Sequence, residues 1–315
     1  EVLIAAPILK LPNRTMQAMG PWLRCALALG LCAPPCAAVR LAAGPKDDQY
    51  GLKCMHFDQE NMQEQVTAIV STSPRAEDLS GQGLEVIKHT IRSIREVLGF
   101  NRSQIVVAWD ALPEAANTDQ GAEVLHSATA MNYKMKMEAF ERWNREELNN
   151  QIIVFKNTEW THQAEMTRRV FNWLQRKGML TPIVFIAQDD SRVVGSIDVP
   201  FVLRHLSCDP KVDYVRFLWS NDCTEAPAHF GWVEPCEPHP DTKFLQSTSR
   251  MSDRPHFATT NLYYSQLFSR CPHSFRGVPE RCWFPRLKNA WIYGERYKML
   301  HDANSLHDSL NNHPR

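Results

Sequence analysis

A five-residue apolar run, Ile183-Val184-Phe185-Ile186-Ala187, ends abruptly in Gln188-Asp189-Asp190-Ser191, and no other stretch restricts the fold as much. Such a run suits a strand in a sheet covered on both faces. Thr181-Pro182 starts it, at the position in a strand where proline is tolerated. Open α/β sheets bind ligands in the crevice beyond the carboxyl ends of their strands. Two adjacent carboxylates there repel unless neutralised, which makes them a candidate site for a divalent cation and a phosphate-bearing ligand. Read alone, the tetrapeptide fits a solvated turn better, because Asp favours turns. Its surroundings decide between the two.

Those surroundings alternate between two periodicities. Val66-Thr67-Ala68-Ile69-Val70-Ser71-Thr72 reads as a first strand ending in Ser73-Pro74. Leu84, Ile87, Ile91, Ile94 and Leu98 then recur at helical spacing until Gly99. Gln104 to Trp109 is a second buried strand, closing on Asp110. Strand, helix and strand in this order predict a right-handed crossover and a parallel sheet. A charged amphipathic helix over 131–150, with Met135, Phe140, Trp143 and Leu148 available for packing, precedes a third strand at Ile152–Phe155. A helix over 162–177 leads to the fourth strand at 183–187. A short helix over 198–206 precedes a fifth strand at Tyr214–Trp219. From residue 220 helical patterning thins while aromatics, prolines and histidines rise, as in a region shaped around a ligand. The expected fold is a three-layer α/β/α sandwich with a mostly parallel sheet and a loop-rich C-terminal half.

Lys+Arg and Asp+Glu balance at 35 each, so no global field draws in nucleic acid or an anionic membrane. Arg24, the apolar segment Cys25–Ala33 and Pro34-Pro35-Cys36-Ala37-Ala38 follow the order of a secretory signal peptide. An uncleaved signal anchor is the alternative, and residues 1–43 are expected to be upstream sequence plus this leader. Residues 44–65 read as a loose polar lead-in, and 306–315 as a tail. Outside the leader the cysteines are Cys54, Cys208, Cys223, Cys236, Cys271 and Cys282. Their spacings lack a CxxC zinc pattern, and an even number in the secretory pathway predicts disulfides. Asn101-Arg102-Ser103 is a glycosylation sequon suited to the same compartment.

Three strand ends now carry chemistry. Ser71, Thr72, Ser73 and Pro74 can hold a nucleoside through hydroxyls and backbone amides. Asp110 can accept a base imide proton or hold a ribose. Gln188, Asp189 and Asp190 end the fourth strand. This series, from Val-Thr-Ala-Ile-Val-Ser-Thr-Ser-Pro through Ile-Val-Val-Ala-Trp-Asp to Thr-Pro-Ile-Val-Phe-Ile-Ala-Gln-Asp-Asp, resembles the nucleotide-sugar half of a GT-A glycosyltransferase, in the nucleotide-diphospho-sugar transferase superfamily.

The resemblance implies a GT-A (Rossmann-like) domain over 66–305, with the nucleotide-sugar half at 66–219 and the acceptor half at 220–305. It also implies Mn²⁺ or Mg²⁺ on the donor diphosphate, with Asp190 as direct metal ligand and Asp189 beside the ribose or a metal-bound water. Gln188 stands where such enzymes carry a first acid, which bears on the strength of metal binding. Ser252-Asp253-Arg254-Pro255-His256-Phe257-Ala258-Thr259 is similar to the segment before an acceptor helix, which makes Arg254, His256 and Trp291 candidate acceptor contacts. Glu280, in Gly277-Val278-Pro279-Glu280, matches the catalytic base, with Asp253 second. His301 matches the histidine that completes the metal shell. Arg168, on the helix before the fourth strand, is a candidate contact for the diphosphate. Trp219, Trp232, Trp283 and Trp291 are divided between sugar stacking and core.

The expected activity is metal-assisted transfer of a sugar from a nucleotide-diphospho-sugar to a glycan, glycoprotein or lipid hydroxyl in the Golgi or ER lumen. An inverting displacement needs a carboxylate to take the acceptor proton, and the departing diphosphate needs a cation. Two rivals stand beside it. One is a catalytically silent carbohydrate-binding or scaffold protein of the same fold; the other is a metal-dependent phosphohydrolase or nucleotidyltransferase.

Overall fold

Alternation along the strands sorts the core into two layers, one on each side of a nine-stranded sheet. A computed structural model describes residues 52–74, 83–112, 128–218, 236–249, 251–273, 275, 287–294 and 298–301. All of them fall within a unit spanning 43–315. The leader, Cys223, Cys282, Trp219, Trp232, Trp283 and Glu280 lie outside the described residues.

In chain order the elements begin with α1 (Met62–Gln65), β1 (Val66–Thr72), α2 (Gly83–Glu96), β2 (Gln104–Trp109) and α3 (Ala128–Glu146). Next come β3 (Ile152–Lys156), α4 (His162–Arg176), β4 (Ile183–Gln188), β5 (Ser191–Val193) and α5 (Val199–Cys208). Then follow β6 (Tyr214–Phe217), β7 (Pro238–His239), β8 (Thr242–Thr248) and β9 (His256–Thr259). An interrupted helix runs through Thr260–Leu262, a π-helical turn Tyr263–Leu267 and Phe268–Arg270, before β10 (Ala290–Tyr293) and β11 (Met299–His301).

The sheet order is β3-β2-β1-β4-β9-β6-β10-β8-β7. β3, β2, β1 and β4 are parallel. β9 runs antiparallel between β4 and β6, and β10 lies parallel to β6. Val66, Ala68 and Val70 of β1, Ile105, Val107 and Trp109 of β2, and Ile183, Phe185 and Ala187 of β4 face α2, α3 and α5. The residues between them, Ile69, Val106, Ala108, Val184 and Ile186, face α4 and the interrupted helix. This is the period-two rule of a pleated strand buried on both sides. The expected three-layer architecture and mostly parallel central sheet are present, and the expected strands and helices appear within a few residues of their predicted bounds.

Two local expectations change. The lead-in is not loose along its second half: Leu52, Phe57 and Met62 are fully buried in the α2/α3 layer. Cys54 in the same stretch is bonded to Cys208 at the end of α5. Buried apolar residues five apart, too sparse to show a helical or strand period, explain why the stretch reads as polar. Met135, expected to pack, is 51% exposed, whereas Phe140 and Trp143 of the same helix are buried. Gly99 ends the α2 segment at φ +73°, so the backbone favours glycine there, while a Cβ would meet only the movable ends of the Gln59 and Met62 side chains. Cys236 and Cys271 are disulfide-bonded as well. Among the described residues no helix is long and apolar enough to cross a membrane.

The Cys54–Cys208 bridge closes a separation of 154 residues and ties the segment before β1 to the far end of α5. Loops of this length lie where a cross-link restrains the unfolded chain most. Cys208→Ser is expected to cost about 2–4 kcal/mol, read as a lower midpoint in urea unfolding of the oxidised protein.

Candidate functional site

The same alternation that builds the two layers divides the residues at the strand ends. β1, β2 and β4 finish side by side, with Ser71 paired to both Ala108 and Gln188. Gln188 turns toward the α4 side, as does Asp110 beyond the end of β2, while Thr72 and Asp189 point into the α2/α3 layer.

Asp189 is buried, and its carboxylate lies on a lysine. Lys136 Nζ donates to Asp189 Oδ2 at 2.8 Å, and Thr72 Oγ1 donates to the same oxygen at 2.8 Å. Backbone bonds hold the residue equally firmly: Asp189 N–H donates to Ser71 O at 3.0 Å, and Thr90 Oγ1 donates to Asp189 O at 2.8 Å. Lys136 belongs to the stripe Tyr133, Lys136, Phe140, Trp143 that α3 turns inward. It is the residue that reading the helix as a charged amphipathic segment misses. A lysine at i+3 within an apolar stripe is the signal that would have found it. Tyr133 of the same stripe lies with its hydroxyl 3.2 Å from Thr72 O and 3.0 Å from Asp110 O, joining the ends of β1 and β2.

Asp190 follows, also buried, with Ser191 Oγ donating to its Oδ1 at 3.1 Å. The β5–β11 ladder then pairs Ser191 with His301. The register therefore puts residue 301 across from the neighbour of Asp190, from more than a hundred residues away in sequence. On the other face Gln188 Nε2 donates to Asp253 Oδ2. That contact brings the second candidate base to the crevice, along with half-buried Arg254. Ser73 and Pro74 sit half-buried just beyond β1. Asp189, Asp190, Gln188, Asp253 and the Ser71–Pro74 turn thus converge on one end of the sheet.

Four other candidates, Asp110, Arg168, Trp291 and His256, are engaged as parts of the framework. Asp110 is buried, and it accepts from Thr161 N at 3.0 Å, His162 N at 2.6 Å and Thr161 Oγ1 at 3.1 Å. Those donors stand at the amino end of α4, so the carboxylate satisfies orphan N–H groups and faces the positive end of the helix dipole. Burial raises its pKa above the ordinary value, opposed by the hydrogen bonds from Thr161, His162 and Asn157.

Arg168 is buried in the α4 layer, where Nη1 donates to Glu165 Oε2 at 2.8 Å and Nη2 donates to the carbonyls of Phe268 and Cys271. It clamps the end of the interrupted helix and is not brought to the crevice. Trp291 is half-buried in mid-strand, in register with Val215, and its Nε1 donates to Lys211 O at 2.7 Å. It lies away from the strand ends.

His256, expected as an acceptor contact, is 1% exposed. Nδ1 lies on Arg254 O, which can only accept, so the ring proton is on Nδ1 and Nε2 accepts from Tyr263 O–H at 2.6 Å. Tyr214 O–H donates to Ser252 O, and Ser252 N–H donates back to the same hydroxyl. His256 and Tyr214 therefore anchor the loop that carries Asp253 and Arg254 rather than meeting a ligand themselves. Desolvation lowers the His256 pKa from 6.5 to about 4.

No family model matches the sequence, and no curated protein matches it. Solved structures that share the layout are nucleotide-diphospho-sugar-fold glycosyltransferases and nucleotidyltransferases. A mannosyltransferase from Pyrobaculum calidifontis, solved with GDP-Man and Mn²⁺, is 17% identical, aligned over 64% of this chain and 46% of its own, at TM-score 0.36. S. aureus TarS is 12% identical over 75% of this chain and 36% of its own, at TM-score 0.43. The mannose-1-phosphate geranyltransferase structure from Thermus thermophilus is 10% identical over 79% of this chain and 80% of its own, at TM-score 0.44. The chain spans less than half the length of the first two. All three TM-scores lie below 0.5, so the functional reading rests on the residues of the crevice.

Two outcomes test this geometry. Lys136→Met is expected to destabilise the fold by about 3–5 kcal/mol, because it strands a buried carboxylate, and urea unfolding measures it. A proton binds His256 less readily in the folded protein than in the unfolded chain. Its contribution is therefore whole above pH 6.5 and is lost as pH falls toward about 4. The loss amounts to roughly 3 kcal/mol, and His256→Gln should remove that part of the pH dependence.

Proposed function

We propose that the chain is a metal-assisted glycosyltransferase that moves a sugar from a nucleotide-diphospho-sugar to an acceptor hydroxyl. The observation that carries this reading is the neutralised strand end: Lys136 and Thr72 on Asp189, with Asp190 beside it, at the carboxyl ends of adjacent parallel strands. Two bare carboxylates would cancel a divalent cation's charge. With Asp189 paired to Lys136, the strand end carries one uncompensated negative charge fewer, and Asp190, buried beside it, is the carboxylate we assign to the ion. The residues assigned to such an ion are Asp190 and His301, whose backbone pairs with Ser191, the residue after Asp190, with Gln188 contributing no charge. Bound there, Mn²⁺ or Mg²⁺ would act as a Lewis acid toward the leaving diphosphate.

The other roles belong to the chain's own residues. The Ser71–Pro74 turn borders the nucleoside position, and the buried Lys136 keeps the crevice from becoming net repulsive to phosphate. Glu280 is the first candidate for the base and Asp253, bonded to Gln188, the second, each to take the proton of an acceptor hydroxyl, with Arg254 as an acceptor contact. Long-range disulfide bonding supports folding in an oxidising lumen, in keeping with a secretory leader.

Purified oxidised protein, offered a panel of nucleotide-diphospho-sugars, should release nucleoside diphosphate with Mn²⁺ or Mg²⁺ and stop with chelator. Asp190→Ala should lower the rate about 100-fold or more. Glu280→Gln should abolish transfer while donor binding persists. Full activity in Asp190→Ala removes that residue from the site. Binding of nucleotide without turnover favours the silent carbohydrate-binding rival, and release of pyrophosphate favours a nucleotidyltransferase.

A further inference from the structure

At the end of α5 a second set of donors converges on a point that the strand-end crevice does not use. His205 and Asp209 are four residues apart and so share one side of the helix end, and the β7–β8 hairpin brings His239 against them. One ligand atom from each of the three lies within 4.8 Å of the others. The His239 side chain is 0% exposed, and those of His205 and Asp209 are 14% and 18% exposed.

Asp209 splits its oxygens. Oδ1 accepts from Lys211 N–H at 2.8 Å, and Oδ2 faces both rings, 2.9 Å from His239 Nε2 and 3.9 Å from His205 Nδ1. Despite that 2.9 Å approach, His239 Nε2 is a buried atom without a hydrogen-bond partner, since the ring is not aimed along a hydrogen-bond axis. A buried imidazole nitrogen without a hydrogen-bond partner, close to a second imidazole and a carboxylate, is what an ion's ligands look like before the ion binds.

We infer that His205, Asp209 and His239 form a zinc-type transition-metal site that fastens the β7–β8 hairpin to α5. Two imidazole nitrogens and one carboxylate oxygen suit such an ion better than Mg²⁺ or Ca²⁺. Bonds of about 2.0–2.1 Å in a tetrahedral shell place ligand atoms roughly 3.3 Å apart, so small side-chain rotations close the set. The C-terminal end of α5 favours a cation, and the Cys54–Cys208 bond fixes the chain immediately before Asp209.

Behind the site, His239 Nδ1 accepts from Asp241 N–H at 3.2 Å, and Asp241 Oδ2 lies 4.0 Å from the same nitrogen. Metal binding needs Nε2 without its proton; when that proton moves to Nδ1, the nitrogen gives up the Asp241 N–H bond and donates instead to the Asp241 carboxylate, 4.0 Å away. The opposing cation on the helix, Arg204, lies over the Phe201 ring. The Trp291 ring stands 4.6 Å from His239 and walls one side. The site is separate from the crevice: Asp209 precedes the amino end of β6, whereas Asp190 follows the carboxyl end of β4.

The test uses the full oxidised chain, stripped with chelator and titrated with Co²⁺ and then Zn²⁺. The expected result is visible d–d absorption of tetrahedral strength that saturates at one equivalent of Co²⁺ and is displaced by Zn²⁺, with a rise in Tm. His205→Asn and His239→Gln should each weaken binding at least about tenfold, and Asp241→Asn should have a smaller effect in the same direction. If His239→Gln does not fold, His205→Asn, at a partly exposed position, decides alone. Asp190→Asn should leave the Co²⁺ spectrum unchanged. Absence of the absorption overturns the inference, as does a spectrum that survives His205→Asn or disappears in Asp190→Asn.

Discussion

A sheet whose central strands end side by side can bring carboxylates together only if their charge is met, and here Lys136 on Asp189 meets it. The pair is buried, and so are the hydroxyl and backbone groups that complete it, Thr72 Oγ1, Thr90 Oγ1 and Ser71 O. Such a pair is weak evidence for net stability, because two charges leave water to make it. Its value lies in placement. It locks α2 and α3 to the ends of β1 and β4 and fixes where the chain turns after β4.

The layers were legible because two periodicities carry nearly all of the core. Ile87, Ile91 and Ile94 repeat at helical spacing, and β1, β2 and β4 bury every second residue on each side. The elements that stayed hidden are short or chemically mixed. β5 is three residues long, and β9 spends one of its four positions on a buried histidine, so neither presents a period. The junction at Gln188–Asp190 was legible as a place where ligand can meet sheet. Which face each acid would choose was not, because that depends on a lysine from a helix some fifty residues earlier.

Asp110 shows the same limit from the other side. A strand-end acid is visible in sequence, but its partners, the N–H groups of Thr161 and His162, come from the start of a helix some fifty residues later. Arg168 and His256 likewise carry the residue types of a binding site, yet both are held by carbonyls and hydroxyls of neighbouring elements. Around this crevice most titratable side chains position other groups, and few reach the open end.

β9 runs against its neighbours. A parallel strand delivers to the crevice the residues on its C-terminal side. A reversed strand delivers those on its N-terminal side, and this is how Asp253 comes to Gln188. The residues before β9 can therefore lengthen, shorten or change identity without disturbing any helical crossover. The crevice has two independent sources of loops, one tied to the parallel strands and their helices and one, before β9, that can vary without altering the strand ends that carry Asp189 and Asp190.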